Sequence, residues 1–104
     1  MKNAIDACKK HNAKLVFFDN VYAYGKVTGP MTEQTPFNPC SKKGEVRARI
    51  ATHLLEEIKA NNLAGMIIRA ADFYGPGALL SLTHATVAER LRAGKGAQWI
   101  GDPK

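Results

Sequence analysis

Two short apolar runs, Leu15-Val16-Phe17-Phe18 and Met66-Ile67-Ile68, constrain this chain more than any other feature. Neither run alternates with polar residues, the pattern of a strand buried on both faces of a parallel sheet. Each opens at its carboxyl end into polar residues and glycine. The first continues as Asp19-Asn20-Val21-Tyr22-Ala23-Tyr24-Gly25, the second as Arg69-Ala70-Ala71-Asp72-Phe73-Tyr74-Gly75-Pro76-Gly77. The periodicity between them predicts a helix over 43–60, closed by Asn61-Asn62. Strand, helix and strand make a parallel unit whose crossover is right-handed, and open α/β sheets bind ligands at the carboxyl ends of their strands. The fold class read from this pattern is α/β.

At about 100° per residue, Val46, Ile50, Leu54 and Ile58, flanked by Ala51 and Leu55, form one apolar sector of the central helix. Glu45, Arg49, Thr52, Glu56 and Lys59 fall opposite. Arg47 lies in the middle of the apolar sector, with Lys43 one turn earlier, so the wheel turns two cations toward the sheet. Positive charge in the first turns opposes the helix dipole by a few tenths of a kcal/mol, which an anion at the helix start would relieve. The alternative is that Lys43 precedes the helix and Arg47 snorkels to its edge.

Residues 2–11 read as a helix with Ile5 and Cys8 on one side and Asn12 as its stop. The stretch from Asp19 to Cys40, with Gly25, Gly29, Pro30, Pro36 and Pro39, is a loop of a length that is usually functional, and is expected to lie over a site. Residues 81–93 suggest a further helix stopped by Gly94, and 97–102 the start of another strand and turn.

With 104 residues, 45% of them hydrophobic and 23% charged, the chain suits one small globular core rather than disorder. No run is long enough to span a bilayer and no secretory leader opens the chain, so a cytoplasmic location is expected. Cys8 and Cys40 lack metal or redox spacing and read as ordinary thiols. The net charge of +6 invites an anionic partner, but the basic residues are dispersed without interleaved aromatics. That pattern argues against nucleic acid. Asp6, Glu33, Glu89 and Asp102 show no paired spacing, and His11, His53 and His84 read as bystanders.

Three segments in order carry a resemblance to a known family. Phe17 to Gly25 is similar to a strand that ends in small hydroxyl residues before a Tyr-Gly pair. Pro30-Met31-Thr32-Glu33 with Pro36-Phe37-Asn38-Pro39 resembles an acidic, proline-bearing loop. Ile67 to Gly77 resembles a late signature in which Arg closes a strand and Tyr-Gly-Pro-Gly follows. Together they resemble the extended short-chain dehydrogenase/reductases, the NAD-dependent epimerase/dehydratase family, in an atypical branch. The resemblance implies an internal segment: the later half of a Rossmann-like NAD(P)-binding domain over 1–77, then an incomplete start of a substrate lobe over 78–104.

The family's catalytic Tyr and Lys fall at the positions of Lys43 and Arg47, and its catalytic hydroxyl at Asn20. The resemblance therefore makes Asn20, Lys43 and Arg47 the catalytic candidates. Lys43 keeps a proton-exchanging group, Arg47 can hold ribose hydroxyls without exchanging protons, and Asn20 can orient a carbonyl or hydroxyl. Arg47, Ala70, Ala71 and Asp72 become the cofactor-binding candidates, the small residues because they allow close approach. For Ala70 to Asp72 a plain strand-to-loop junction is the alternative.

The implied cofactor is NAD or NADP, the implied substrate a sugar nucleotide or similar hydroxyl/carbonyl compound, and the implied assembly a homodimer through 2–11 and 43–60. No glycine-rich phosphate loop precedes either strand, which leads to the expectation of a truncated reading frame or cut-out segment, catalytically silent and poorly packed when isolated. Besides the enzymatic reading stands a non-catalytic one, a cofactor- or anion-binding module on the same scaffold. A small basic nucleic-acid binder is the remaining alternative.

Overall fold

The computed structural model describes residues 1–99. The chain forms two compact units, Met1–Ala70 and Ala71–Lys104. In the first, helix α1 (Lys2–Lys10) leads into strand β1 (Leu15–Asp19), and helix α2 (Lys42–Lys59) connects β1 to strand β2 (Gly65–Arg69). The strands pair in parallel, in a register that runs from Leu15 opposite Gly65 to Asp19 opposite Arg69. This is a Rossmann-like β-α-β unit, as the two apolar runs predict.

Asparagine ends both helices. Asn12 follows α1 at φ 49° and Asn61 follows α2 at φ 57°, the left-handed conformation that asparagine tolerates better than most residues. At the other end of α2, the Ser41 hydroxyl accepts a hydrogen bond from the Gly44 N–H at 3.1 Å, satisfying one of the unpaired donors of the first turn.

The core gathers Ile5 from α1, Leu54 from α2 and Leu63, with Leu15, Phe17, Ile58 and Ile67 packed against them. Both helices thus cover the face of the sheet that carries the odd-numbered strand residues. Val16, Phe18, Met66 and Ile68 on the even face are 43–56% exposed. The expectation of strands buried on both faces is corrected accordingly: an unbroken apolar run shows that both faces suit burial, while packing within this unit covers one.

The long connection after β1 is anchored rather than loose. Ala23 and Tyr24 are buried, and the Asn38 N–H donates to the Ala23 carbonyl at 3.1 Å. Gly25, at φ 65°, turns the chain where a side chain would collide with the Asn38 carbonyl.

In the second unit, the Asp72 carboxylate accepts from the Thr83 N–H at 3.1 Å and from its hydroxyl at 2.9 Å. The helix expected over 81–93 forms over 82–92 but is irregular. A π-helical turn over His84–Ala88 runs into a single α-turn, α3 (Glu89–Arg92), before Gly94 at φ 69°. The Thr86 hydroxyl donates to the Leu82 carbonyl at 2.9 Å, a side-chain bond of the kind that competes with the regular helical ladder. Residues 97–99 form no strand, and the remainder of the expected strand and turn, with Asp102, lies outside the described residues.

Candidate functional site

The carboxyl ends of β1 and β2 and the start of α2 converge on one carboxylate. Asp19 follows Leu15 and Phe17 on the covered face of β1, and its side chain is fully buried. A buried carboxylate requires compensation. Two arginines supply it from opposite elements: Arg69 Nη1 at 3.0 Å from one oxygen and Arg47 Nη1 at 3.4 Å from the other. Two guanidiniums against one carboxylate leave a local charge of +1.

The two arginines are held differently. Arg69, 14% exposed, also donates from Nη1 to the Asn20 backbone carbonyl at 3.0 Å. Its guanidinium lies 4.9 Å from the Tyr24 ring centre and 5.1 Å from that of Phe37, and those rings are themselves 5.5 Å apart. Arg47 makes the longer ion contact and remains 34% exposed. Its hydrogen-bonding capacity is therefore largely unspent, whereas that of Arg69 is built into the fold.

Arg47 reaches Asp19 because it lies on the inward stripe of α2 with Gly44, Ala51 and Leu54, which are buried. Gly44 lets the first turn approach the loop after β1: an added Cβ would lie 2.6 Å from the Tyr22 carbonyl oxygen and 2.9 Å from the Pro39 Cβ. Lys43 departs from the wheel. It is the second residue of α2, exposed, with its Nζ 4.5 Å from the centre of the Tyr22 ring. Of the two cations expected to face the sheet, only Arg47 does so. Neither half of the alternative describes the result, since Lys43 is helical and Arg47 is paired inside.

Asn20 closes the group. Its side-chain carbonyl accepts the Tyr22 N–H at 3.1 Å, an Asx turn that sets the direction of the chain leaving β1. Asn20, Lys43 and Arg47 are thus gathered around the carboxyl end of β1, through Tyr22 for the first two and Asp19 for the third. Beside Arg69 lies a hollow of about 340 Å³ lined by Tyr24, Glu33, Phe37, Leu55 and Ile67, so the long loop does cover a concave surface.

The Ala70 N–H continues the strand pairing by donating to the Asp19 backbone carbonyl at 3.1 Å. Ala71 and Asp72 belong to the second unit and are exposed. The Thr83 backbone N–H and hydroxyl, both donating to Asp72, hold its carboxyl below the usual carboxylate range. Among the described residues no cluster of His, Cys, Asp or Glu is arranged to hold a metal, and Cys8 and Cys40 are free thiols.

Sequence reasoning named Asn20, Lys43 and Arg47 but passed over Asp19 and Arg69 as site residues. The signal was present in parity. Asp19, two positions beyond Phe17 and four beyond Leu15, continues the inward face of the strand, and Arg69 occupies the same place on β2.

The family model for NAD dependent epimerase/dehydratases matches residues 1–102, nearly the whole chain. The chain belongs to that family. No curated protein and no solved structure matches it. In this epimerase/dehydratase family member, the positively charged end of the β-α-β unit stands where open α/β sheets receive ligands. The family's dependence on a nucleotide cofactor makes a dinucleotide the ligand against which the donor set is to be weighed. Among the described residues no helix is long and apolar enough to cross a membrane.

Proposed function

We propose that Asn20, Lys43 and Arg47 form the nicotinamide-ribose side of an NAD(P) site acting on a sugar nucleotide or similar hydroxyl/carbonyl substrate. The observation that carries this reading is Arg47: paired to buried Asp19 at 3.4 Å, a third exposed, with donors left for ribose hydroxyls. The donor set fits the neutral ribose and carboxamide end of a dinucleotide. Among the described residues no glycine-rich turn joins a strand to a helix, so pyrophosphate binding is not assigned to any residue here.

A nicotinamide dinucleotide supplies hydride exchange when bound. This chain's own residues would do the rest. Arg47 holds hydroxyls but keeps its proton, Lys43 is the candidate for proton exchange at Nζ, and Asn20 sets the course of the chain around the substrate end. The Ala70 backbone, at the end of β2, offers close approach.

Two observations favour a second reading, binding without turnover. Lys43 Nζ is placed against the Tyr22 ring, and the Asn20 side-chain oxygen is committed to the turn at Tyr22. Titration with NADH and NADPH, followed by intrinsic fluorescence, tests the shared part of both readings, and saturable binding weakened by Arg47→Met is the expected result. Loss of nicotinamide absorbance with a keto-sugar nucleotide then supports turnover, while binding without it supports the module. No saturable binding of either dinucleotide refutes both. The homodimer through 2–11 and 43–60 belongs to the same proposal, with Val46 and Leu55, 45% and 44% exposed on α2, as its apolar surface.

A further inference from the structure

We infer that Asp19 is a positioning residue, whose second oxygen holds the guanidinium of Arg47 at the ligand-facing end of the sheet. The carboxylate could have been satisfied by Arg69 alone. Arg69 lies opposite it in the strand register, donates to one oxygen at 3.0 Å and to the Asn20 carbonyl at the same distance, and is flanked by two aromatic rings. The other oxygen is buried and accepts no hydrogen bond, and the charged group facing it is Arg47 at 3.4 Å. A second arginine shared with an already paired carboxylate adds little that the fold requires. It does place a partly exposed guanidinium, tethered through Nη1, on the inner stripe of α2.

Arg47 thereby gains a fixed direction that helix geometry alone would not impose on so long a side chain. Asp19 acts through Arg47 and is not itself within reach of a ligand, since its side chain is fully buried. The consequence for dinucleotide binding rests on the function proposed above. The tether itself does not, and the test reads it directly.

Phenylglyoxal modification of arginines, mapped by mass spectrometry of peptides, measures how often each guanidinium is released. Arg49, exposed on the outer face of α2, is the internal standard. In the unsubstituted chain Arg47 is expected to react more slowly than Arg49. In Asp19→Asn it should accelerate by about fivefold, the change expected when a partly exposed ion pair is lost. Arg69, still held by the Asn20 carbonyl and its aromatic neighbours, should change less.

A merely structural role for Asp19 would instead release Arg47 and Arg69 together, along with the melting transition, and that outcome overturns the assignment. Equal rates for Arg47 and Arg49 in the unsubstituted chain overturn it as well, even where Asp19→Asn fails to fold. Repeating the reaction with NADPH present separates the two claims. Protection of Arg47 supports the cofactor reading, whereas a tethered but unprotected Arg47 removes that reading and leaves the role of Asp19 standing.

Discussion

Replacing Gly44 by alanine sets helix propensity against packing, and the structure decides the sign. Glycine costs a helix up to about 1 kcal/mol relative to alanine, so secondary structure alone makes the substitution stabilising. The added methyl would stand 2.6 Å from the Tyr22 carbonyl oxygen, 2.9 Å from Pro39 Cβ and 3.2 Å from Ser41 Oγ. The first of these is backbone and the second a ring carbon, and neither moves aside as a flexible side chain would. Overpacking of this kind costs about 1–3 kcal/mol, and displacing Ser41 from the Gly44 N–H puts about 1 kcal/mol of capping at risk as well.

The net expectation is a loss of about 1–3 kcal/mol, which for a domain of this size lowers Tm by several times about 4–8 °C per kcal/mol at the upper end. Far-ultraviolet circular dichroism during heating and urea titration measures it. Gly29→Ala, where nothing lies within 4 Å of the new methyl, serves as the control and should stay within about 0.5 kcal/mol of the parent. A Gly44→Ala chain more stable than its parent by the propensity increment would refute the close approach of α2 to the loop after β1. It would also undo the account of how Arg47 reaches Asp19.

Asp72 and Val46 with Leu55 lead to further tests. The Asp72 carboxyl is held below its ordinary pKa by donors from Thr83, so the contact is fully formed above the unfolded carboxylate range and is lost as pH falls through the lowered folded value. Thr83→Val removes the hydroxyl donor and should move the Asp72 titration, followed by carbon-detected NMR, upward toward the ordinary range; an unmoved titration would contradict the hydrogen bond. Val46→Glu with Leu55→Glu should convert a dimer to a monomer in light scattering while leaving helix content unchanged, because both side chains are exposed. A parent chain that is already monomeric would refute the dimer through α2.

Much of the β-α-β unit was legible in the amino-acid sequence. The apolar runs, the helix between them and the asparagines that end both helices are signals carried by neighbours in the chain, and short-range geometry reads them. The position of Arg47 inside the apolar sector of α2 was legible for the same reason, since a wheel depends only on the angle per residue. Lys43 shows where that reasoning ends. It shares the wheel with Arg47, but the first turn of a helix has no neighbouring turn before it, and the side chain settles against Tyr22 in the preceding loop.

The same division explains the second unit, in which Leu82, Ala85, Val87, Ala88 and Leu91 promise a regular helix. Thr86 donates to the Leu82 carbonyl within a π-helical turn, so a local competitor that hydrophobic periodicity does not register accompanies the departure from the α-ladder. Apolar strands presented a different difficulty: Val16 and Phe17 look equally suited to burial, and only the placement of α1 and α2 selects the odd face.

The strand-helix-strand order, the stops and an inward cation on the central helix were properties of the sequence, because each follows from residues close together along the backbone. Asp19 between Arg47 and Arg69 belongs to the folded chain. Its partners lie 28 and 50 residues away, and parallel register and helix docking must both be in place before one carboxylate can meet two guanidiniums.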